Sequence, residues 1–321
     1  MILKPPVELV QALKDSQRVV VATHINPDGD ALGSALGLVL ALRQMGKQAW
    51  VVDKDPVPRI YRFLPSAEEV SSELPQGDVD TLVLVDCGEM ERTGYETLPG
   101  RTRLVIDHHL TERNFGDIRW VLSNASSTGE MVFNLLKALG LPLEREVAVC
   151  LYVALFTDTG GFRYSSSCPS AYRAAAEMVE AGAEPWEVTE NVYESHSYQR
   201  LALLGKALDG MVRNEHVAII AVTDDMYEAT GATSEDTDNF ANMARSIEGI
   251  EVGIFLRQVG PDAFKASMRS KGRVNVAAIA ERFGGGGHHN AAGGVIEGSL
   301  EHARATILKA VEDALGNRQS Q

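Results

Sequence analysis

Three short, mainly apolar runs set the frame of this chain. Residues 19–22, 79–85 and 103–106 are too short for helices, and each stops abruptly at polar side chains. The first runs into Thr23-His24-Ile25-Asn26-Pro27-Asp28-Gly29-Asp30, the second into Asp86, the third into Asp107-His108-His109. A fourth stretch, helical in its spacing over 144–156, ends in Thr157-Asp158-Thr159-Gly160-Gly161. Short apolar runs bounded this way predict buried strands. Open α/β folds place their chemistry at the carboxyl edge of such strands.

The remaining pattern fills in the fold class. Strands are expected at 18–24, 49–53, 79–86, 103–107 and 118–122, with a helix at 31–45 between the first two. Gly33 and Gly37 give that helix a small face, expected to lie close against the sheet. Ser127 and Glu130 form a capping-box pattern opening a helix at 128–139, and Gly140 closes it. Mostly helical sequence follows to about 208. Alternating strands and helices predict an α/β domain with a doubly wound, largely parallel sheet. The second half predicts a smaller α/β domain. Its strands are expected at 217–222 and 293–296, with a hairpin of 252–258 and 263–270 around Gly260-Pro261-Asp262, and its helices at 235–247, 274–282 and 300–314. The expected division is a domain over 1–189, a helical connector over 190–210 and a second domain over 211–321.

Composition narrows the function classes. A chain of 321 residues favours two domains, and 45% hydrophobic residues suit a full core. A net charge of −14 argues against a grip on long nucleic acid, which needs a basic surface. No apolar run reaches membrane-span length, so no membrane contact is expected. Cys87, Cys150 and Cys168 are scattered without a C-x-x-C, as in a protein of the reducing cytoplasm.

The polar ends of the runs carry the candidate chemistry. Taken singly, Asp30 reads as a helix cap and Asp86 or Asp158 as a turn residue. Taken together, acids and imidazoles recur at strand end after strand end, which capping alone does not explain. Carboxylates this close repel one another unless a cation lies between them, and a divalent metal fills that role. His196 and His216 stand without such company and read as structural.

The ordered set His24-x3-Asp28-x-Asp30, Asp86, Asp107-His108-His109 and Asp158 resembles the four motifs of the DHH phosphoesterases. Gly284-Gly285-Gly286-Gly287-His288, then Ala291-Ala292-Gly293, with Arg269 upstream, resembles the DHHA1 domain that accompanies them. The resemblance covers nearly the whole chain and is greatest to the NrnA-type subgroup, bifunctional oligoribonucleases that also dephosphorylate pAp. It implies a metal-dependent phosphodiesterase and phosphatase that cuts short 5′-phosphorylated oligonucleotides (nanoRNA, pApA) to mononucleotides, and a possible homodimer.

The same resemblance implies two divalent ions, one on His24, Asp28 and Asp86, the other on Asp30, Asp86, His108 and Asp158, with Asp86 shared. Mn2+ suits these ligands, and ligand type leaves Mg2+, Co2+ and Zn2+ open. Asp107 is expected to orient an imidazole and His109 to face the substrate. In the second domain Arg269 is expected on the substrate's phosphate, with the backbone of Gly285, Gly286 and Gly287 and the side chain of His288 beside it. Lys265, Ser267 and Arg269 share a strand face by alternation. Rival readings are a cyclic-dinucleotide phosphodiesterase, a RecJ-like single-strand exonuclease, a family II pyrophosphatase, and a non-catalytic nucleotide sensor.

Overall fold

In a computed structural model, which describes residues 3–109 and 115–316 and leaves the His288 side chain undescribed, the chain divides into two compact units, Met1–Ser195 and His196–Gln321. The boundary falls inside the stretch expected as a connector. Glu190–Glu194, a π-helical turn, belongs to the first unit, and the helix Tyr198–Asp209 belongs to the second.

The first unit runs α1 (Val7–Asp15), β1 (Arg18–Ala22), α2 (Gly29–Gln44), β2 (Gln48–Val52), β3 (Thr81–Val85), β4 (Thr102–Asp107), β5 (Ile118–Val121), α3 (Thr128–Leu139), α4 (Arg145–Asp158), α5 (Pro169–Glu180) and α6 (Pro185–Thr189). The five strands are all parallel, in the order β2-β1-β3-β4-β5. From β2 the chain crosses back over β1 to β3, so the winding reverses between β1 and β3. A crevice at the carboxyl edge of such a reversal is where this kind of sheet binds ligands. Val19, Val21, Val83, Val85, Leu104 and Ile106 pack into one core with the helices. Val20, Ala22, Leu82, Leu84 and Val105 face the other side, covered by Val79, Cys87, Met90, Tyr95 and Leu98 from loops.

The glycine face of α2 meets a helix, not the sheet. A Cβ on Gly33 would stand 2.3 Å from the Cys150 carbonyl oxygen, and one on Gly37 2.7 Å from Leu151 Cδ2, so α2 lies tightly on α4. That contact matters for the site, because α2 begins beside Asp30 and α4 ends at Asp158. Only half of the expected capping box forms at α3. Ser127 Oγ accepts the Glu130 amide, but the Glu130 carboxylate turns back to the Ser126 amide at 2.9 Å.

The second unit runs α7 (Tyr198–Asp209), β6 (Val212–Arg213), β7 (Val217–Val222), α8 (Asp224–Thr230), α9 (Phe240–Arg245), β8 (Val252–Gly260), β9 (Ala263–Ser270), α10 (Val276–Glu281), β10 (Gly286–His288), β11 (Ala291–Glu297) and α11 (Leu300–Gly316). Its mixed sheet has the order β10-β11-β9-β8-β7-β6, with only β7 and β8 parallel. The helix expected at 235–247 is broken. A 3-10 turn covers Ser234–Thr237, Asn239 takes a left-handed conformation at φ 62°, and α9 starts afresh at Phe240. Asp238 and Asn239 favour turn geometry over helix interior, and helical periodicity alone does not register this. No helix among the described residues is long and apolar enough to cross a membrane.

Candidate metal centre

The loop after β1 is braced before it carries any ligand. The Thr23 hydroxyl donates to the buried Asp53 carboxylate, the Ile25 amide donates to the Arg92 carbonyl, and the Asn26 amide donates to Asp55 at 2.7 Å. Asn26 is left-handed at φ 53°, a conformation asparagine tolerates better than most residues. His24 Nδ1 lies 2.9 Å from the Ile25 carbonyl, which fixes the ring and aims Nε2 at Asp86 Oδ2, 3.5 Å away.

Asp28 and Asp30 separate at this point. Asp28 is the N-cap of α2, its Oδ1 accepting the Asp30 and Ala31 amides at 3.0 Å each. Asp30 lies in the first turn and does not cap its own helix. Its carboxylate accepts the Thr128 and Gly129 amides at the start of α3, at 2.7 and 2.9 Å, and the Ser34 hydroxyl at 3.2 Å.

Asp86 is the hub. It sits at φ 54°, an unusual conformation for a residue with a side chain, while its amide donates to the Ile106 carbonyl. One carboxylate oxygen faces His24. The other lies 3.2 Å from His109 Nδ1 and 3.7 Å from His108 Nε2. Asp107, fully buried at the end of β4, accepts the His109 amide at 2.9 Å and faces His109 Nδ1 at 2.8 Å, so the imidazole it orients is that of His109.

His108 is surrounded by acids. Its Nε2 is buried without a hydrogen-bond partner, yet it is ringed by Asp30 Oδ2 at 3.6 Å, Asp86 Oδ1 at 3.7 Å and Asp158 Oδ2 at 3.6 Å. Ligand atoms each about 2 Å from one ion stand roughly 3–3.5 Å apart, so this ring is only slightly wider than a metal shell. Three such groupings could hold an ion: His24, Asp28 and Asp86; Asp30, His108 and Asp158; and Asp86, His108 and His109. The donor set therefore fits divalent metal.

Proton affinities respond to the crowding. Burial and the charges of Asp86 and Asp28 push Asp158 up to about 8. Burial and the charges of Asp86 and Asp158 also raise Asp30 well above the usual carboxylate range. Burial opposes a charge on His24, but its bond to Asp86 and the charge of Asp28 outweigh this and push it up to about 9. Burial likewise opposes a charge on His109, but Asp86 and Asp107 push it up to about 11. Asp86 goes the other way. Burial disfavours its charge, yet the surrounding imidazoles hold it well below the ordinary range.

By strand register Arg269, Ser267 and Gly286 share one sheet face, whereas Gly287, paired with Ala292 and through it with Met268, lies on the other. Arg269 pairs across β9 with Ala291 of β11, and Ser267 pairs with Gly293, which pairs in turn with Gly286. Arg269 Nη1 donates to the Met268 carbonyl at 3.1 Å. Most of the glycine run has a local reason. Gly284 is left-handed at φ 66° just after α10. A Cβ on Gly285 would meet the Gly293 carbonyl oxygen at 1.9 Å, and one on Gly287 the Ala291 carbonyl oxygen at 2.4 Å. Gly286 has no atom within 4 Å of where its Cβ would be. The expectation for His288 concerns a side chain outside the described residues. Arg163, just beyond Asp158, lies over the Tyr193 ring, 5.3 Å from its centroid, and donates to the Gly160 carbonyl.

The sequence reading missed Thr128, Gly129 and Ser34, which hold Asp30 in place, and Asp53 and Asp55, which brace the loop after β1. The signal for the first two was present, since Ser126–Glu130 follows the last strand of the same sheet edge.

Comparison with known proteins identifies relatives of both units. Residues 18–155 match the DHH family, N-terminal domain, and residues 214–317 match the DHHA1 domain. The chain is 38% identical to the bifunctional oligoribonuclease and PAP phosphatase NrnA of Thermus thermophilus, over 92% of this chain and 90% of that protein. It is 28% identical to the protein of the same name from Bacillus subtilis, over 90% of this chain and 92% of that one. Among solved structures, an exopolyphosphatase-related protein from Bacteroides fragilis superposes with a TM-score of 0.88 at 28% identity, covering 95% of each chain.

Proposed function

From the premise that this chain belongs to the DHH phosphoesterases, with a DHHA1 domain following the DHH domain in sequence, we propose that it hydrolyses short 5′-phosphorylated oligonucleotides to mononucleotides and removes the phosphate of pAp. The observation that carries the hydrolytic reading is His108 Nε2, buried without a hydrogen-bond partner inside a ring of three carboxylate oxygens. The substrate class follows the relatives named for it.

We assign His24, Asp28 and Asp86 to one divalent ion, and Asp30, Asp86, His108 and Asp158 to a second. Mn2+ is the proposed metal, on the strength of mixed imidazole and carboxylate donors. When bound, such ions activate water at neutral pH and neutralise phosphoryl oxygens. The chain's own residues do the rest. Asp107 and Asp86 hold His109 by Nδ1, so the opposite edge of the ring is what can donate to the leaving oxygen. Arg269 offers a planar fork to the substrate's terminal phosphate, and the small residues beside it, Ser267, Gly293 and Gly286, let a nucleotide lie against the sheet.

The test is a panel of pAp, pApA, a five-mer, a twenty-mer, pyrophosphate and cyclic dinucleotides, each incubated with protein and Mn2+. Hydrolysis of pAp and the short oligomers is expected. A preference for the twenty-mer, as for a RecJ-like enzyme, or for cyclic dinucleotides would replace the proposed substrate class. Hydrolysis of none would defeat the enzymatic reading.

A further inference from the structure

The first turn of α3 reaches two acids of the ligand sets, Asp30 and the shared Asp86. The amides of Thr128 and Gly129 hold the two oxygens of Asp30, and the Thr128 hydroxyl donates to Asp86 Oδ1 at 3.0 Å. Thr128, Asp30 and Asp86 are all buried. The turn is itself cross-braced, the Ser126 amide donating to Glu130 and the Glu130 amide donating to Ser127 Oγ at 3.0 Å. It is also seated closely, since a Cβ on Gly129 would stand 2.4 Å from Ala154 Cβ. A helix N-terminus beside an acidic cluster adds partial positive charge where the acids repel most.

The two oxygens of Asp86 have different tasks. Oδ2 faces His24, and Oδ1 faces His108 and His109. That division lasts only while the plane of the carboxylate is fixed. The left-handed backbone and the Ile106 contact fix the main chain of Asp86 but not the rotation of its side chain. The Thr128 hydroxyl donates to this carboxylate and is neither a proposed ligand nor an imidazole of the motif.

We propose that Thr128 is a positioning residue, whose hydroxyl holds Asp86 with one oxygen in each ligand set so that a single carboxylate serves both ions. The inference rests on the two-ion reading above. A valine at this position keeps the shape of threonine and removes the donor, whereas serine keeps the donor.

The experiment titrates Mn2+ into the full-length wild type, Thr128→Val and Thr128→Ser, following uptake by calorimetry and the exchange-coupled signal of a metal pair by electron paramagnetic resonance. It then measures kcat and KM on pAp. Thr128→Val is expected to bind its second equivalent about 10–100-fold more weakly, as for other groups that orient metal ligands. It should lose the coupled signal and fall in kcat with KM little changed, while Thr128→Ser keeps all three. If the valine variant does not fold, Thr128→Ala gives the same readout. Wild-type pairing in Thr128→Val, or a serine variant as impaired as valine, overturns this inference alone. A wild type without a coupled pair overturns the two-ion reading, and the role of Thr128 with it.

Discussion

Asp28 and Asp30, two residues apart in sequence, cap two different helices. Asp28 closes the N-terminus of α2, to which it belongs, and Asp30 closes the N-terminus of α3, nearly a hundred residues further along the chain. The consequences of neutralising them differ. Asparagine caps a helix as well as aspartate does, so Asp28→Asn should leave the melting temperature of the metal-free protein within about 1 °C of wild type. At position 30 each carboxylate oxygen accepts its own backbone amide, so the NH2 of an asparagine would confront one of these donors, at a cost of about 1–3 kcal/mol. That corresponds to roughly 2–10 °C for a unit of this size. Both variants should lose most activity. Thermal unfolding in excess chelator checks the difference, and equal midpoints would show that the link between Asp30 and α3 contributes nothing to the fold.

The raised proton affinities of the centre give a signed dependence on pH. A group whose pKa is higher folded than unfolded stabilises the fold at low pH and loses that contribution as pH rises. For His24 the loss runs from the ordinary 6.5 to about 9, and for Asp158 from 3.8 to about 8. Asp86, held low, already contributes fully above the ordinary carboxylate range and adds no slope here. The metal-free protein should therefore lose stability between pH 6.5 and 8.5. Metal binds the deprotonated ligands, so its apparent affinity should rise over the same interval. At a metal concentration 100 times Kd the gain is about 2.7 kcal/mol, so the rise in melting temperature on adding a fixed concentration of Mn2+ should widen with pH. Differential scanning fluorimetry under anaerobic conditions reads this, and an increment that is flat or shrinks with pH contradicts it.

The glycine run separates packing from binding. Gly285→Ala would drive a methyl group into the Gly293 carbonyl and part β10 from β11, lowering the melting temperature by several degrees. Gly286→Ala meets no neighbour within 4 Å and should leave stability within about 1 °C of wild type. If substrate lies against this face, Gly286→Ala should raise KM for pAp several-fold with kcat little changed. An unchanged KM would remove the glycine run from the binding surface.

What the sequence made legible was what repeats. Apolar runs that end in acids at strand after strand pointed to a parallel sheet with a charged carboxyl edge, because burial and local order are both written in neighbouring residues. Two kinds of feature were not legible. Asp30 looked like the cap of its own helix because the partner it actually caps, α3, is distant in sequence. Gly33 and Gly37 looked like a sheet-facing surface because a small face says that something approaches, not what; here it is α4. Gly285, Gly286 and Gly287 were read as a binding device because sequence does not show that β10 would pair there.

Arg269 carries the last prediction. It lies on β9 between Gly253 of β8, where α9 packs closely against the same face, and Ala291 of β11. A charged hydrogen bond to phosphate contributes about 1.5–3 kcal/mol, which is roughly 10–150-fold in affinity. Arg269→Ala should thus raise KM for pAp and pApA by that factor while leaving Mn2+ uptake, and the melting-temperature increment it causes, as in wild type. Arg269→Lys keeps the charge but not the fork and should recover only part of the affinity. Steady-state kinetics beside a metal-shift melting experiment distinguishes the outcomes. Full recovery by lysine would reduce the role to bulk charge, and an unchanged KM in the alanine variant would take Arg269 out of substrate binding altogether.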